Sequence, residues 1–275
     1  MPHRNDDHIA VFSKGGVTDI LVLDGASSVA EQDYIDPVGG DVAWFVHAFT
    51  AALEQVLSPE RSQQDCVHAA MAIVRSAFGQ TDQTKPAPLH AWPIAALTWL
   101  RISQRNGVSR AGLYSLGDCK SLMQTAGGAC VDLDPFINPQ EGIVQAEIAR
   151  LRAEGVTSAE RRRVHMLPML RARREFQNSA PAPDVLCLRP HGPFAARMRE
   201  FDIEPDASLL IMTDGFYRMV DPYDLYTDAT LMSACLDRGL TAVLDELRTH
   251  EATAGGTAKR SVKAADDASA VFWCA

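Results

Sequence analysis

Two segments far apart in the chain read alike: Leu21-Val22-Leu23-Asp24-Gly25 and Ile211-Met212-Thr213-Asp214-Gly215. A short apolar run of this kind suits a buried strand. A carboxylate at its end gains nothing from burial unless it is paired or bound to a cation. The glycine that follows lets the chain turn sharply and lets a backbone carbonyl approach a ligand, because it lacks a Cβ. One Asp-Gly is a common turn signal. Here, however, further acidic elements flank apolar runs: Asp6-Asp7 ahead of the first, Gly117-Asp118 after residues 111–116, and Asp266-Asp267 ahead of the last. That recurrence favours a shared site over unconnected turns, and hard cations such as Mg2+ and Mn2+ prefer oxygen ligands.

Apolar runs at residues 9–12, 19–23, 97–102, 111–116, 185–188, 208–212 and 268–273 read as strands. Helical patterns cover 41–57, 64–78, 140–153, 158–175, 222–236 and 240–249. In the first of these Val42, Phe45, Val46, Phe49, Leu53, Val56 and Leu57 recur at helical spacing, leaving Glu54 and Gln55 for solvent. Two helices follow the first strand pair and several strands then come in series. This order predicts antiparallel sheets with helices packed outside them, not a parallel doubly wound sheet. Loops are expected at 80–88, 178–184 and 252–265. None is a convincing linker and no repeat is evident, so a single domain over residues 1–275 is expected.

Apolar residues make up 47% and charged residues 22%, an ordinary globular balance. The net charge of -9 argues against nucleic-acid binding, which relies on a basic surface. No apolar run approaches the roughly 20 residues of a membrane-spanning helix, and the opening residues lack a secretory signal. A cytoplasmic protein without a membrane partner is expected. The six cysteines form no Cys-x-x-Cys pair, so they read as reduced core thiols. The arginines at 161, 162, 163, 171, 173 and 174 could dock an acidic or phosphorylated partner, or form a solvated helix face. His47, His68, His90, His165 and His250 stand isolated and read as structural or solvent-facing.

In the order of these motifs the whole chain resembles the type 2C, metal-dependent serine/threonine protein phosphatases, in a bacterial-type single-domain form. Asn5-Asp6-Asp7 looks like the family's opening Asn-Glu-Asp, Leu23-Asp24-Gly25 like its first Asp-Gly strand end, and Gly39-Gly40 like its Gly-Gly helix start. Gly117-Asp118-Cys119-Lys120 is similar to its Gly-Asp-Ser-Arg strand end. Leu210-Ile211-Met212-Thr213-Asp214-Gly215 and Asp266-Asp267-Ala268-Ser269-Ala270-Val271 match its two closing motifs.

The resemblance implies an α+β fold, a four-layer α-β-β-α sandwich of two antiparallel β-sheets flanked by helices. It implies catalytic roles for Asp24, Asp214 and Asp266, and a metal set of Asp6 (directly or through water), Asp7, Asp24, the Gly25 carbonyl, Asp118, Asp214 and Asp266. Asp266 is preferred to Asp267 because Ser269 and Val271 then fall on the motif. Two Mn2+ or Mg2+ ions, with Asp118 serving a weaker third, would activate a hydroxide for in-line attack on phosphoserine or phosphothreonine. Cys119 would then be a packing residue. The partners implied are a phosphoprotein substrate and a cognate Ser/Thr kinase.

The family's phosphate-binding arginine stands further upstream of the acidic pair, where this chain has Pro2, and Arg4 is the nearest candidate. Ala26 follows the first Asp-Gly where some members have a histidine, and Ala26-Ser27-Ser28 replaces a Gly-rich continuation. These departures motivate a second reading, an inactive phosphatase-like module that binds phosphoproteins or regulates a partner. A haloacid dehalogenase-type site would need Asp at position 22 and Thr at 26, where Val22 and Ala26 stand. A serine hydrolase would need a Gly-x-Ser-x-Gly elbow, and none is evident.

Overall fold

The apolar runs pair as antiparallel strands, and the structure, a computed structural model, describes residues 5–79, 86–105, 107–189, 193–253 and 265–275. In chain order the first elements are β1 (His8–Lys14), β2 (Val17–Gly25), α1 (Asp41–Val56), α2 (Gln63–Gly79), β3 (Ile94–Arg105) and β4 (Val108–Leu116). Next come β5 (Lys120–Gln124), β6 (Cys130–Asp132), α3 (Glu141–Ala153), α4 (Ala159–Ser179), β7 (Leu186–Cys187) and β8 (Arg197–Ile203). The last are β9 (Ser208–Met212), α5 (Asp214–Tyr217), α6 (Asp228–Arg238), α7 (Leu240–Thr253) and β10 (Ala270–Cys274). The chain divides into two compact units, residues 1–119 with 171–204 and residues 120–170 with 205–275.

The first unit holds a sheet in the order β1-β2-β3-β4-β8, with β7 beside β3 and every pairing antiparallel. The β1–β2 hairpin turns on Gly15-Gly16, both at positive φ (59° and 75°), the backbone that a tight two-residue turn requires. Inward residues of the strands, among them Leu21, Leu23, Leu97, Trp99 and Tyr114, are buried against Phe45, Phe49 and Leu53 of α1 and Val67 and Met71 of α2. One buried carboxylate in this unit is fully paired. Asp19 accepts from Trp99 Nε1 (2.8 Å) and from Arg101 Nε (2.7 Å), so its charge is compensated where water is excluded. Ahead of α1, the Asp41 carboxylate accepts from the backbone N–H groups of Tyr34, Ile35 and Asp36 at 2.7–2.9 Å. The inserted loop is thereby tied to the helix start, and Gly40 enters the helix at φ 99°.

The second unit holds a four-stranded antiparallel sheet in the order β10-β9-β5-β6. Leu122, Leu210 and Met212 of this sheet pack with Phe216, Met219, Leu231, Met232, Val243 and Leu247. Helices α6 and α7 supply the last four. A smaller cluster joins α3 to the start of α4 through Ile148, Leu151, Val156 and Met166. Both sheets are thus antiparallel and carry helices, the expected α+β arrangement.

Several expectations are corrected. β5, β6 and β8 lie outside the strands read from sequence. β6 and β8 are edge strands, and β8 (Arg-Met-Arg-Glu-Phe-Asp-Ile) exposes much of its length, so it has no apolar run to betray it. The helix expected at 222–236 starts only at Asp228, where Thr227 and Thr230 form a reciprocal capping box. β10 starts at Ala270, so Asp266-Asp267 precede the strand by a short approach. Asp214 opens a single helical turn, α5, not merely a glycine-driven bend. Parts of the loops expected at 80–88 and 252–265 lie outside the described residues. Four of the six free cysteines are buried, including Cys119, whereas Cys130 is half-buried and Cys274 exposed.

Candidate functional site

In the first unit Asp24 is the penultimate residue of β2, half-buried and paired with Ala96 of β3. Asp6 and Asp7 immediately precede β1. The Gly25 N–H donates to the Asp6 carbonyl at 3.2 Å, which fixes the opening stretch beside the end of β2. A Cβ at Gly25 would collide with that carbonyl oxygen and with Val42 Cγ1, so only glycine fits. Asp7 is 5% exposed, and its N–H donates to Asn5 Oδ1 at 3.0 Å. Gly117 follows β4 at φ 77°, and a Cβ there would strike Ala96, the residue opposite Asp24. Its carbonyl accepts from Arg197 Nη2 at 2.6 Å and its N–H donates to the Asp184 carbonyl at 2.6 Å. Asp6, Asp7, Asp24, Gly25 and Asp118 therefore share one end of the six-stranded sheet.

In the second unit Asp214 and Asp266-Asp267 share one end of the four-stranded sheet, because Met212 of β9 pairs with Ala270 of β10. Thr213 stitches the two stretches together: its N–H donates to the Ser269 carbonyl, and its Oγ1 accepts from the Ser269 N–H, both at 3.0 Å. A Cβ at Gly215 would overlap the Asp267 carbonyl. The Asp266 carbonyl accepts from Arg248 Nη1 at 2.8 Å, and the same nitrogen donates to the buried Glu251 at 2.7 Å. Glu251 also accepts from Tyr223 Oη at 3.3 Å and pairs with Arg218 at 3.5 Å. Helix α7 thus anchors the Asp266 loop through a buried charge network. The sequence reading did not single out Arg248, which sits on an ordinary amphipathic helix.

Within the arginine-rich stretch, Arg171 and Arg174 turn towards the loop after Asp24-Gly25 and are not part of a solvated face. Arg171 Nε donates to the Val29 carbonyl at 2.8 Å, and its Nη2 pairs with Glu31 at 2.7 Å. Arg174, one turn on and 6% exposed, donates from Nη2 to the carbonyls of Ala26 (3.3 Å) and Ser27 (3.2 Å). Burial and the neighbouring Arg173 lower the Arg174 guanidinium to about 10, while Asp6 acts in the opposite sense. The only sequence signal was the i, i+3 spacing, which is equally that of a solvated face. Arg4 lies outside the described residues. Of the isolated histidines, His47 stacks on His8 (4.4 Å) and His250 on Tyr223 (4.7 Å), while His90 pairs with Glu175 (3.1 Å).

The carboxylates form two sets, one in each unit. Among the described residues no group of three or more His, Cys, Asp or Glu side chains is placed to hold a metal ion. The chemistry of the donors still fits a hard divalent cation, since every candidate is an oxygen and the Gly25 and Gly215 positions admit no side chain. No helix among the described residues is long and apolar enough to cross a membrane.

No family model matches the chain, and no curated protein matches it. Solved structures do. The PPM Ser-Thr phosphatase MsPP from Mycobacterium smegmatis, in complex with cacodylate, superposes with a TM-score of 0.52 at 15% identity, covering 98% of this chain and 91% of that one. The S. agalactiae serine/threonine phosphatase gives 0.51 at 14%, covering 90% and 87%. The catalytic domain of the serine/threonine phosphatase PstP in complex with two manganese ions gives 0.50 at 14%, covering 99% and 91%; PstP from Mycobacterium tuberculosis superposes equally well. At these identities the likeness carries the fold, and the chain has the fold of the PPM-type (type 2C) serine/threonine phosphatases.

Proposed function

We propose that the chain is a metal-dependent phosphoserine/phosphothreonine protein phosphatase whose residues 1–275 act as one catalytic domain. The observation that carries the proposal is the repeated arrangement at the sheet ends, where carboxylates stand beside a glycine that no other residue can replace. The phosphatase fold of the neighbours and the two manganese ions of PstP support it. Asp6, Asp7, Asp24, the Gly25 carbonyl, Asp118, Asp214 and Asp266 would serve as the metal ligands. Two Mn2+ or Mg2+ ions, with Asp118 serving a weaker third, would when bound lower the pKa of a water and neutralise phosphoryl charge.

The chain's own residues keep those oxygens in place. Gly25 N–H fixes Asp6, and Arg248 fixes the Asp266 loop. Ala26 has no titratable group, so the leaving alkoxide would take its proton from water or from another residue. Cys119 is buried, and this reading needs no thiol nucleophile. The substrate is a phosphoprotein, with a cognate Ser/Thr kinase as the opposing activity, in the cytoplasm.

The second reading, an inactive phosphatase-like module that binds phosphoproteins or regulates a partner, is favoured by one observation, Ala26-Ser27-Ser28 in place of a Gly-rich continuation after Asp24-Gly25. Hydrolysis of p-nitrophenyl phosphate and a phosphothreonine peptide with Mn2+, with and without chelator, separates the two. The phosphatase reading expects chelator-sensitive turnover that Asp214→Asn lowers by about 10²-fold or more, the scale of removing one group that stabilises transition-state charge. Equal, negligible release from both proteins, with no heat on Mn2+ titration, would establish the module.

A further inference from the structure

The end of the six-stranded sheet that carries Asp6, Asp7 and Asp24 is strongly acidic, and a phosphomonoester dianion approaching it needs a fixed cation as well as metal. The opening motif offers Arg4 for that role. The described structure brings a different guanidinium to the place. Arg174 projects from α4, far along the chain, and reaches the residues directly after Asp24-Gly25.

We propose that Arg174 is the guanidinium that receives the substrate phosphoryl group, in the role left open by Pro2; this rests on the phosphatase reading above. Three observations converge on it. It is buried, and a buried cation is retained only where charge or hydrogen bonding compensates it. Asp6, one of the acidic residues at that end, interacts with it electrostatically. Among the described residues, its hydrogen bonds run only through Nη2, to the Ala26 and Ser27 carbonyls. Nε and Nη1, the pair of a side-on fork, remain for an oxyanion, the planar bidentate geometry that arginine offers phosphate and lysine does not. Arg171, one turn earlier, instead has its Nε committed to the Val29 carbonyl and Nη2 to Glu31. The two arginines thus divide the work: Arg171 holds the loop, and Arg174 both holds it and faces the anion.

The test is calorimetric titration of Mn2+-loaded full-length protein with inorganic phosphate, alongside KM and kcat for p-nitrophenyl phosphate, in wild type, Arg174→Met, Arg174→Lys, Arg171→Ala and Arg4→Ala. The expected result is phosphate binding weakened about tenfold or more in Arg174→Met, the scale of a lost charge-assisted contact, with KM rising in parallel. Arg174→Lys, which keeps the charge and loses the fork, falls between and carries the test if the methionine variant does not fold. Arg171→Ala changes phosphate affinity by no more than about twofold.

Wild-type phosphate affinity in both Arg174 variants, an equal loss in Arg171→Ala, or a loss confined to Arg4→Ala would overturn the assignment. Turnover by wild type with unaltered Arg174 variants removes Arg174 and leaves the phosphatase. Phosphate binding without turnover, lost in Arg174→Met, removes the phosphatase and leaves Arg174 as an anion receptor. A wild type that neither turns over nor binds phosphate removes both.

Discussion

Gly25 and Gly215 are each wedged against a backbone carbonyl of the neighbouring acidic stretch, that of Asp6 ahead of β1 and that of Asp267 ahead of β10. Backbone cannot move aside as a flexible side chain can. Gly25→Ala and Gly215→Ala are therefore expected to cost about 1–3 kcal/mol each, the scale of overpacking, and to displace Asp6 and Asp267 with it. Urea denaturation gives the first quantity and Mn2+ titration the second; native stability in both variants would mean the carbonyls are free to shift. A different residue-scale effect belongs to Cys187. Its thiol is pushed from 9.0 up to about 12, chiefly by burial. The raised value means that the neutral thiol favours folding: the contribution is whole below pH 9 and is lost as pH climbs from 9 towards 12. Cys235, raised to about 11 for the same reason, adds to the loss. Denaturation curves across alkaline pH should show stability falling above pH 9, with a shallower fall in Cys187→Ala than in wild type.

At the scale of elements, α6 depends on its start. Thr227 Oγ1 accepts from the Thr230 N–H at 3.3 Å, and Thr230 Oγ1 accepts from the Thr227 N–H at 2.8 Å. Thr227→Ala removes half of this exchange at a helix whose Leu231, Met232 and Cys235 fill the core of the second unit. A loss of about 1 kcal/mol is expected from thermal or urea unfolding. This start was hidden from pattern reading because two threonines have no distinctive periodicity, while the preceding residues carry enough apolar side chains to extend the helix falsely. The strands that sequence revealed, such as β2, β3 and β9, are those whose runs are buried on both faces or nearly so. β5, β6 and β8 stayed hidden because Lys120, Asp132 and Arg197 interrupt or bound them, and β6 and β8, as edge strands, need no apolar run. The acidic motifs were legible because a carboxylate at the end of an apolar run contradicts the run's own chemistry. Arg174 and Arg248 were not, since their roles come from where a helix docks, and that is a tertiary fact.

On the scale of the whole molecule, a net charge of -9 accompanies two sets of carboxylates drawn to sheet ends. Such concentrations of like charge oppose folding until cations neutralise them. If the proposed sites bind Mn2+ in the folded state alone, an excess of about 100-fold over Kd should stabilise the protein by about 2.7 kcal/mol. A scanning melt with Mn2+ should thus finish at higher temperature than one with chelator, and Asp24→Asn should narrow the gap; identical melts would count against any metal site.

The pairing of β9 between β5 and β10 has a consequence for the birth of the protein. As the chain leaves the ribosome, β5 and β9 can pair long before residues 270–274 exist, at the roughly 5–20 residues per second of synthesis. Throughout that interval one edge of β9 lacks its final neighbour, and Thr213 has no Ser269 to stitch it to the Asp266 stretch. Completion of the second sheet is therefore a late, vectorial event, and the nascent chain carries a sticky edge that a chaperone or a wrong strand could occupy first.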